Sequence, residues 1–308
     1  MQGVSVDAAE LAALERAACG FHFLPRQPVQ SVLAGRHASH VRGRGLSFEE
    51  VRPYLSGDDI RSMDWRVTAR TGKPFVRVYA EEKDRPVLVL VDQRINMFFG
   101  SRRAMKSVCA AQAAALVAWR ALSEGDRVGG MVFGDEMFWE QAPRRSRPAV
   151  QHLLGEVARM NAALHADAPA GEGGAQLNRA LERAQRLATH DFLVVVVSDF
   201  DGYDARTREL MLGMRARNDV LTMLVHDPFL DRLPGSGQLV VSDGVLQVEL
   251  GLGREAIRRA IAGFVDARSR ELLAWHRGIG VPLLPLSAAE DVPLQLRRLL
   301  GQPLRGGR

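Results

Sequence analysis

Two acidic residues close the two most apolar runs in the chain: Asp92 follows Val87–Val91, and Asp199 follows Leu193–Val197 across one serine. Unbroken runs of Val and Leu read as strands buried on both faces, the kind found in parallel sheets. Ligands of such sheets bind at the carboxyl ends of the strands, so Asp92 and Asp199 are expected to face one crevice. A carboxylate pair there is a common beginning of a Mg²⁺ site, because hard cations take oxygen ligands. A plainer reading stands beside it, in which the carboxylates cap following helices or meet basic side chains. Phosphoryl transfer on a lone Asp92 is a further alternative. Haloacid-dehalogenase chemistry, however, wants a second aspartate two residues on, and Arg94 stands there.

The segment Asp92-Gln93-Arg94-Ile95-Asn96 resembles the Asp-x-Ser-x-Ser metal motif of von Willebrand factor A domains, with both serines replaced. In that family a threonine after a Gly-Gly pair and a distal aspartate complete the ligand shell. By resemblance, Asp199 matches the distal aspartate and Gly173-Gly174-Ala175 matches the threonine loop without its hydroxyl. Asp92, Arg94, Asn96, Ala175 and Asp199 are therefore read as positions of a degenerate metal site. Mg²⁺ on Asp92, Asn96 and Asp199 is the residual metal reading. Against it, Arg94 brings a fixed planar cation to where the ion would sit. The expectation is that Arg94 holds both aspartates in a salt-bridged cluster, with no catalytic residue and no cofactor.

The elements that must hold these residues alternate after Pro86. Val87–Val91 is a strand, Ser101 caps a helix from Arg102 to about Glu124, and Arg127–Phe133 is the next strand. Helices follow from Ser146 to Met160 and from Gln176 to Thr189, then the strand Phe192–Val197, a helix Ala205–Arg217 and the strand Val220–Val225. A hairpin is expected near 238–250 around Ser242-Asp243-Gly244, then a long helix Arg254–Arg277, the strand Val281–Leu286 and a last helix to Leu300. This rhythm predicts a three-layer αβα, Rossmann-like fold on a mostly parallel sheet over residues 85–303. Before it, residues 1–84 read as one N-terminal part: a helix over Val6–Cys19, then an irregular β-rich module. Residues 304–308 read as a disordered tail.

That module carries the most specific signal. Gly35-Arg36-His37, Arg42-Gly43-Arg44-Gly45, Phe48, Val51-Arg52-Pro53-Tyr54, Gly57-Asp58-Asp59, Arg61, Asp64-Trp65 and Ala69-Arg70 fall in order. The string resembles the signature of the bacterial family called domain of unknown function fifty-eight, whose members join such a segment to a von Willebrand A-like domain. Gly125-Asp126-Arg127-Val128-Gly129 and His226-Asp227-Pro228 fit the same family. The resemblance implies a non-catalytic adaptor that works with a MoxR-type AAA+ ATPase in chaperone-like assembly or maturation of protein complexes. Arg42, Arg44, Asp58, Asp59, Arg61, Asp64, Trp65 and Arg70 are its signature residues and candidate partner contacts. From the residues themselves, Asp58, Asp59 and Asp64 alternate with Arg61, Arg66 and Arg70, which offers bidentate pairs within the module. A structural clasp and a partner-binding role stand as equal readings of that network.

Composition bounds the rest. The 308 residues are 46 % hydrophobic and 25 % charged, ordinary for a globular chain, with a net charge of +5. The mild basic excess is interleaved with acids, and Arg144-Arg145-Ser146-Arg147 lacks interleaved aromatics, which argues against nucleic acid. Cys19 and Cys109 alone cannot build a disulfide framework. No apolar run approaches the ~20 residues that cross a bilayer, and no signal peptide is read at the N-terminus. The expected location is cytoplasmic. His22, His37 and His40 show no metal spacing, and no GxxxxGK[ST] phosphate loop occurs.

Overall fold

The computed structural model describes residues 3–20, 46–81, 85–166, 174–229, 238–242, 247–251, 255, 271–272, 274–275 and 277–300. The chain forms two compact units, one of residues 26–84 and one of residues 1–25 with 85–308.

The larger unit is built on a six-stranded sheet. Its strands are β3 (Pro86–Asp92), β4 (Arg127–Phe133), β5 (Phe138–Arg144), β6 (Leu193–Ser198), β7 (Asp219–His226) and β10 (Leu283–Ser287), in the order β10-β7-β6-β3-β4-β5. All neighbours run parallel except the edge pair β4–β5. β3 pairs with β4 on one side and β6 on the other, so its backbone is satisfied on both edges and its run of Val and Leu is wholly buried.

Alternation along β3 sorts the two cores. Val87, Val89 and Val91 pack with α3 (Lys106–Ser123) and α4 (Arg147–Ala162), while Leu88 and Leu90 pack with α5 (Gly174–Leu187) and α6 (Ala205–Arg215). Leu296 of the C-terminal helix α7 (Val292–Leu300) joins the first core. The alanines of α3 let it lie close against the sheet, and nearly its whole circumference is buried. On the opposite face, α5 is more amphipathic and buries Leu177, Ala180, Leu181 and Ala184 in one stripe.

Two expectations are corrected and one strand is added. The N-terminal helix does not group with the β-rich module. α1 (Ala8–Ala13) belongs to the α/β unit, with Leu11 fully buried in the first core and its carbonyl accepting from Trp119 Nε1 at 3.1 Å. Ser101 does not cap a helix. α3 starts only at Lys106, while Ser101 donates from both its amide (2.9 Å) and hydroxyl (2.5 Å) to Asp227. Phe138–Arg144, not read as a strand, is β5, an edge position where Pro143 is tolerated because only one side is paired. The hairpin forms as β8 (Gln238–Ser242) with β9 (Gln247–Gly251). Most of the helix expected over Arg254–Arg277, and the tail 304–308, lie outside the described residues.

In the smaller unit β1 (Leu46–Pro53) pairs antiparallel with β2 (Phe75–Glu81), with an irregularity between Phe48 and Glu50. Between them lies α2 (Trp65–Thr71), started by Asp64 and ended by Gly72 in the left-handed conformation (φ 70°).

Candidate functional site

The carboxyl ends of β3 and β6 adjoin in the sheet centre, and they bring together Asp92, Arg94, Asn96 and Asp199. Asp92 ends β3 and is fully buried, as is Arg94. The guanidinium lies along the carboxylate: Nη2 donates to Oδ2 at 2.7 Å, and Nε to Oδ1 at 3.0 Å and Oδ2 at 3.2 Å. The Arg94 amide also donates to Asp92 Oδ1 at 3.0 Å, so the turn after β3 is closed by the strand's own last side chain. Nη1 donates to the Asp201 carbonyl at 3.1 Å, and the ring of Phe133 lies under the group with its centroid 5.7 Å from Cζ. Burial works against the charged guanidinium. The attraction and hydrogen bonds of Asp92, with the charges of Asp199 and Asp201, outweigh it and raise the Arg94 pKa.

Arg94 meets Asp199 only at 3.9 Å, within ion-pair range. The direct partner of Asp199 is Lys106, whose Nζ donates to Oδ2 at 2.5 Å. Asn96 Nδ2 (2.7 Å) and the Asp201 amide (2.9 Å) donate to the other oxygen. Burial pushes the Asp199 carboxyl up, but Lys106 and then Arg94 pull it down to about 2. Ser198, the last residue of β6, donates to Asp92 Oδ2 at 2.6 Å and accepts from the Phe200 amide at 2.9 Å. Phe200 sits in the left-handed region (φ 55°) and is fully buried, which turns the backbone so that Asp199 and Asp201 both reach the cluster.

The loop from Gln93 to Asn96 is pinned from several sides. Asp135 accepts from the Ile95 amide at 2.7 Å. Gln93 donates to the Ser107 carbonyl at 3.0 Å and accepts from Asn161, which in turn accepts from the Val6 amide at 2.9 Å. This buried relay ties the N-terminal segment, α4, the site loop and α3 together.

Lys106 and Ser198 were not legible as site residues. Lys106 falls inside the helix expected from Arg102, and only the later start of α3 brings its side chain to Asp199. Ala175 lies exposed in the first turn of α5 and contributes no polar atom. Gly174 before it packs so tightly that a Cβ would run into the Gly202 carbonyl.

These residues do not fit a divalent cation. Both oxygens of Asp92 are taken by Arg94 and Ser198, both oxygens of Asp199 by donors, and Asn96 presents its amide NH₂ rather than its oxygen. Among the described residues no group of three or more His, Cys, Asp or Glu is placed to hold a metal.

The signature residues lie in the smaller unit, and their pairing differs from the expected alternation. Asp58 accepts two bonds from Arg52, both at 2.8 Å, and Asp64 accepts from Arg77 Nε at 2.8 Å. Asp59 and Asp64 cap backbone amides, at Arg61 N for the first and at Arg66 N and Val67 N for the second. Arg61, Arg66 and Arg70 take no part in these pairs. Hydrogen bonds to Arg52 and Arg77 hold the Asp58 and Asp64 carboxyls below the usual carboxylate range. Arg42 and Arg44 lie outside the described residues.

A family model described as "Protein of unknown function DUF58" matches residues 50–271. The chain belongs to the DUF58 family. It is 31 % identical over 286 residues to uncharacterized proteins of Mycobacterium tuberculosis (Rv1480) and Mycobacterium bovis (Mb1516), covering 91 % of this chain and 87 % of each relative. Among solved structures, the conserved hypothetical protein BatB from Bacteroides thetaiotaomicron is similar to this DUF58 chain at TM-score 0.41. Identity there is 12 %, with 70 % of this chain and 98 % of that one covered. An aerotolerance-related membrane protein from Bacteroides fragilis gives TM-score 0.41 at 14 % identity, over 70 % and 96 %. No helix among the described residues of the DUF58 chain is long and apolar enough to cross a membrane.

Proposed function

We propose that this DUF58 chain is a non-catalytic cytoplasmic adaptor, working with a MoxR-type AAA+ ATPase in the assembly or maturation of protein complexes. Its α/β unit is, in this reading, a von Willebrand A-like domain in which an internal arginine has replaced the metal ion. The sheet order β10-β7-β6-β3-β4-β5 with one antiparallel edge, and the two aspartates at the ends of adjacent strands, support that domain assignment.

One observation carries the non-catalytic half: the Arg94 guanidinium, wholly buried, spends Asp92 as an ion-pair partner. A carboxylate so engaged is a poor nucleophile toward phosphate, which argues against a hydrolase on Asp92. The Ser198–Asp92 contact has the look of a nucleophile and base, yet both groups are fully buried and the serine oxygen already accepts from Phe200. The same guanidinium argues against a Mg²⁺-dependent ligand site. The ATPase half follows from the family resemblance of the Gly35–Arg70 signature.

The test is affinity capture of the tagged full-length chain from its native cell, at low salt with ATP. Recovery of a AAA+ ATPase in stoichiometric yield is expected. Repeated capture without one would overturn the adaptor reading.

A further inference from the structure

In the unit of residues 26–84, the connection from β1 to α2 holds three large apolar side chains in solvent. Leu55, Ile60 and Trp65 are 62, 60 and 65 % exposed. They are not fraying from a loose loop. The Asp58 amide closes a turn on the Leu55 carbonyl at 3.0 Å, and Asp58 Oδ2 accepts from the Leu55 amide at 2.8 Å. Tyr54 N to Pro74 O (2.9 Å) and Asp64 N to Phe75 O (2.8 Å) pin both ends of the connection to the start of β2. Ile60 opens a short 3₁₀ turn capped by Asp59, and Trp65 is the first residue of α2. Ordering such side chains before binding removes part of the entropy that association costs.

Charge in the same segment is sorted. Asp58 and Asp64 are consumed by Arg52 and Arg77, and the Asp59 carboxylate caps the 3₁₀ turn. Arg61, Arg66 and Arg70 are exposed and, among the described residues, have no carboxylate partner. The segment thus offers exposed cations that, among the described residues, meet no counter-charge, beside exposed Trp and aliphatic groups, and Trp and Arg are the residues enriched where interfaces concentrate their energy.

We propose that the Leu55–Arg70 face docks an acidic, amphipathic segment of a protein partner. Its apolar side chains would seat against Leu55, Ile60 and Trp65, and its carboxylates would meet Arg61, Arg66 and Arg70. The proposal deepens the adaptor reading and rests on it. A second copy of the chain is a poor occupant, since a symmetric contact brings the same arginines face to face. Nucleic acid is a poor one as well: bases stack on the one tryptophan but not on Leu55 or Ile60.

The test uses the full chain and fluorescence anisotropy with four probes. These are a short peptide with Glu and Leu at helical spacing, the same peptide with Lys for Glu, a polyglutamate, and a single-stranded oligonucleotide. The acidic amphipathic peptide is expected to bind best at low salt. Its affinity should fall about tenfold or more in Trp65→Ala and in Arg66→Glu, two exposed positions whose variants should melt like wild type. Absence of binding, binding indifferent to both variants, tighter binding of the oligonucleotide, or a Trp65-dependent dimer would each overturn the proposal. Peptide binding with no ATPase captured would overturn the adaptor reading with its ATPase and leave this face as a docking surface for another acidic partner. An ATPase captured with no peptide bound would remove only this face.

Discussion

Taking a guanidinium and a carboxylate out of water costs several kcal/mol per ion, so Arg94 and Asp92 persist only because each satisfies the other. Asp92 receives Arg94 Nε, Nη2 and backbone amide together with Ser198, and Asp199 has Lys106 as its own cation. A Mg²⁺ ion would have to displace covalently tethered charges. Millimolar MgCl₂ is therefore expected to leave the melting temperature of the wild-type chain unchanged. In Arg94→Ser, which frees Asp92 and returns a hydroxyl to the position, the same MgCl₂ should raise it by about 4 °C or more. Thermal melts of both proteins decide this, and a rise in wild type would undo the fixed-cation reading. Asp199 gives a pH signature. Its folded pKa of about 2 lies below the ordinary 3.8, so its contribution is complete above about pH 4 and is lost as pH falls through 2. That contribution is on the order of 2 kcal/mol. Urea titrations of wild type and Asp199→Asn should differ by this much at pH 6 and converge toward pH 2. From sequence, the types at 92, 94, 96 and 199 marked the place. The sequence did not disclose that Lys106, not Arg94, is the close partner of Asp199, because that pairing depends on where α3 begins.

α3 begins late because the chain between Phe98 and Met105 is spent on other anchors. Ser101 answers to Asp227 beyond β7, the Met105 amide donates to Gly3 O at 2.7 Å, and the Lys106 amide donates to Phe99 O at 2.7 Å. A serine ahead of an alanine-rich run looks like a helix cap when only local preference is weighed. Here a long-range carboxylate outcompetes the local role. Strands β3, β4, β6 and β7 were legible because burial on both faces leaves their interiors apolar, with Thr222 of β7 the one polar exception between the strand ends. β5 was not, because an edge strand exposed on one side carries Glu140, Gln141 and Pro143. α1 shows the same limit: its apolar spacing marked a helix, but nothing local could say which core it joins. Leu11 is fully buried beside Trp119, so Leu11→Ala is expected to cost about 2–5 kcal/mol. Chemical denaturation followed by far-UV dichroism measures it. A cost below about 0.5 kcal/mol, the range of surface substitutions, would mean that α1 is not part of the α/β core.

At the scale of the molecule the chain leaves the α/β unit after residue 25 and returns at Arg85, so the smaller unit is an insertion into it rather than a leading domain. Each unit carries its own means of cohesion. In the α/β unit it is a sheet with apolar clusters on both faces. In the smaller unit, Val76 is buried, and the ion-paired residues Asp58 and Asp64 fasten the connection between β1 and β2. Asp64 is the centre of that arrangement, accepting from the Arg66 and Val67 amides and from Arg77 while its own amide donates to Phe75 O. Compact units with their own internal hydrogen bonds can open locally, each with its own free energy. Asp64→Ala should therefore raise amide exchange across residues 64–77 while leaving β3, β4 and β6 as protected as in wild type. Hydrogen exchange read by mass spectrometry distinguishes this from a single cooperative fold, in which exchange would rise in the central strands as well. The outcome also bears on function. If the inserted unit opens alone, loss of Asp64 loosens the ordered presentation of Trp65 and the arginines while the aspartate cluster at β3 and β6 stays as it is, and docking on that face can be perturbed without disturbing the α/β unit.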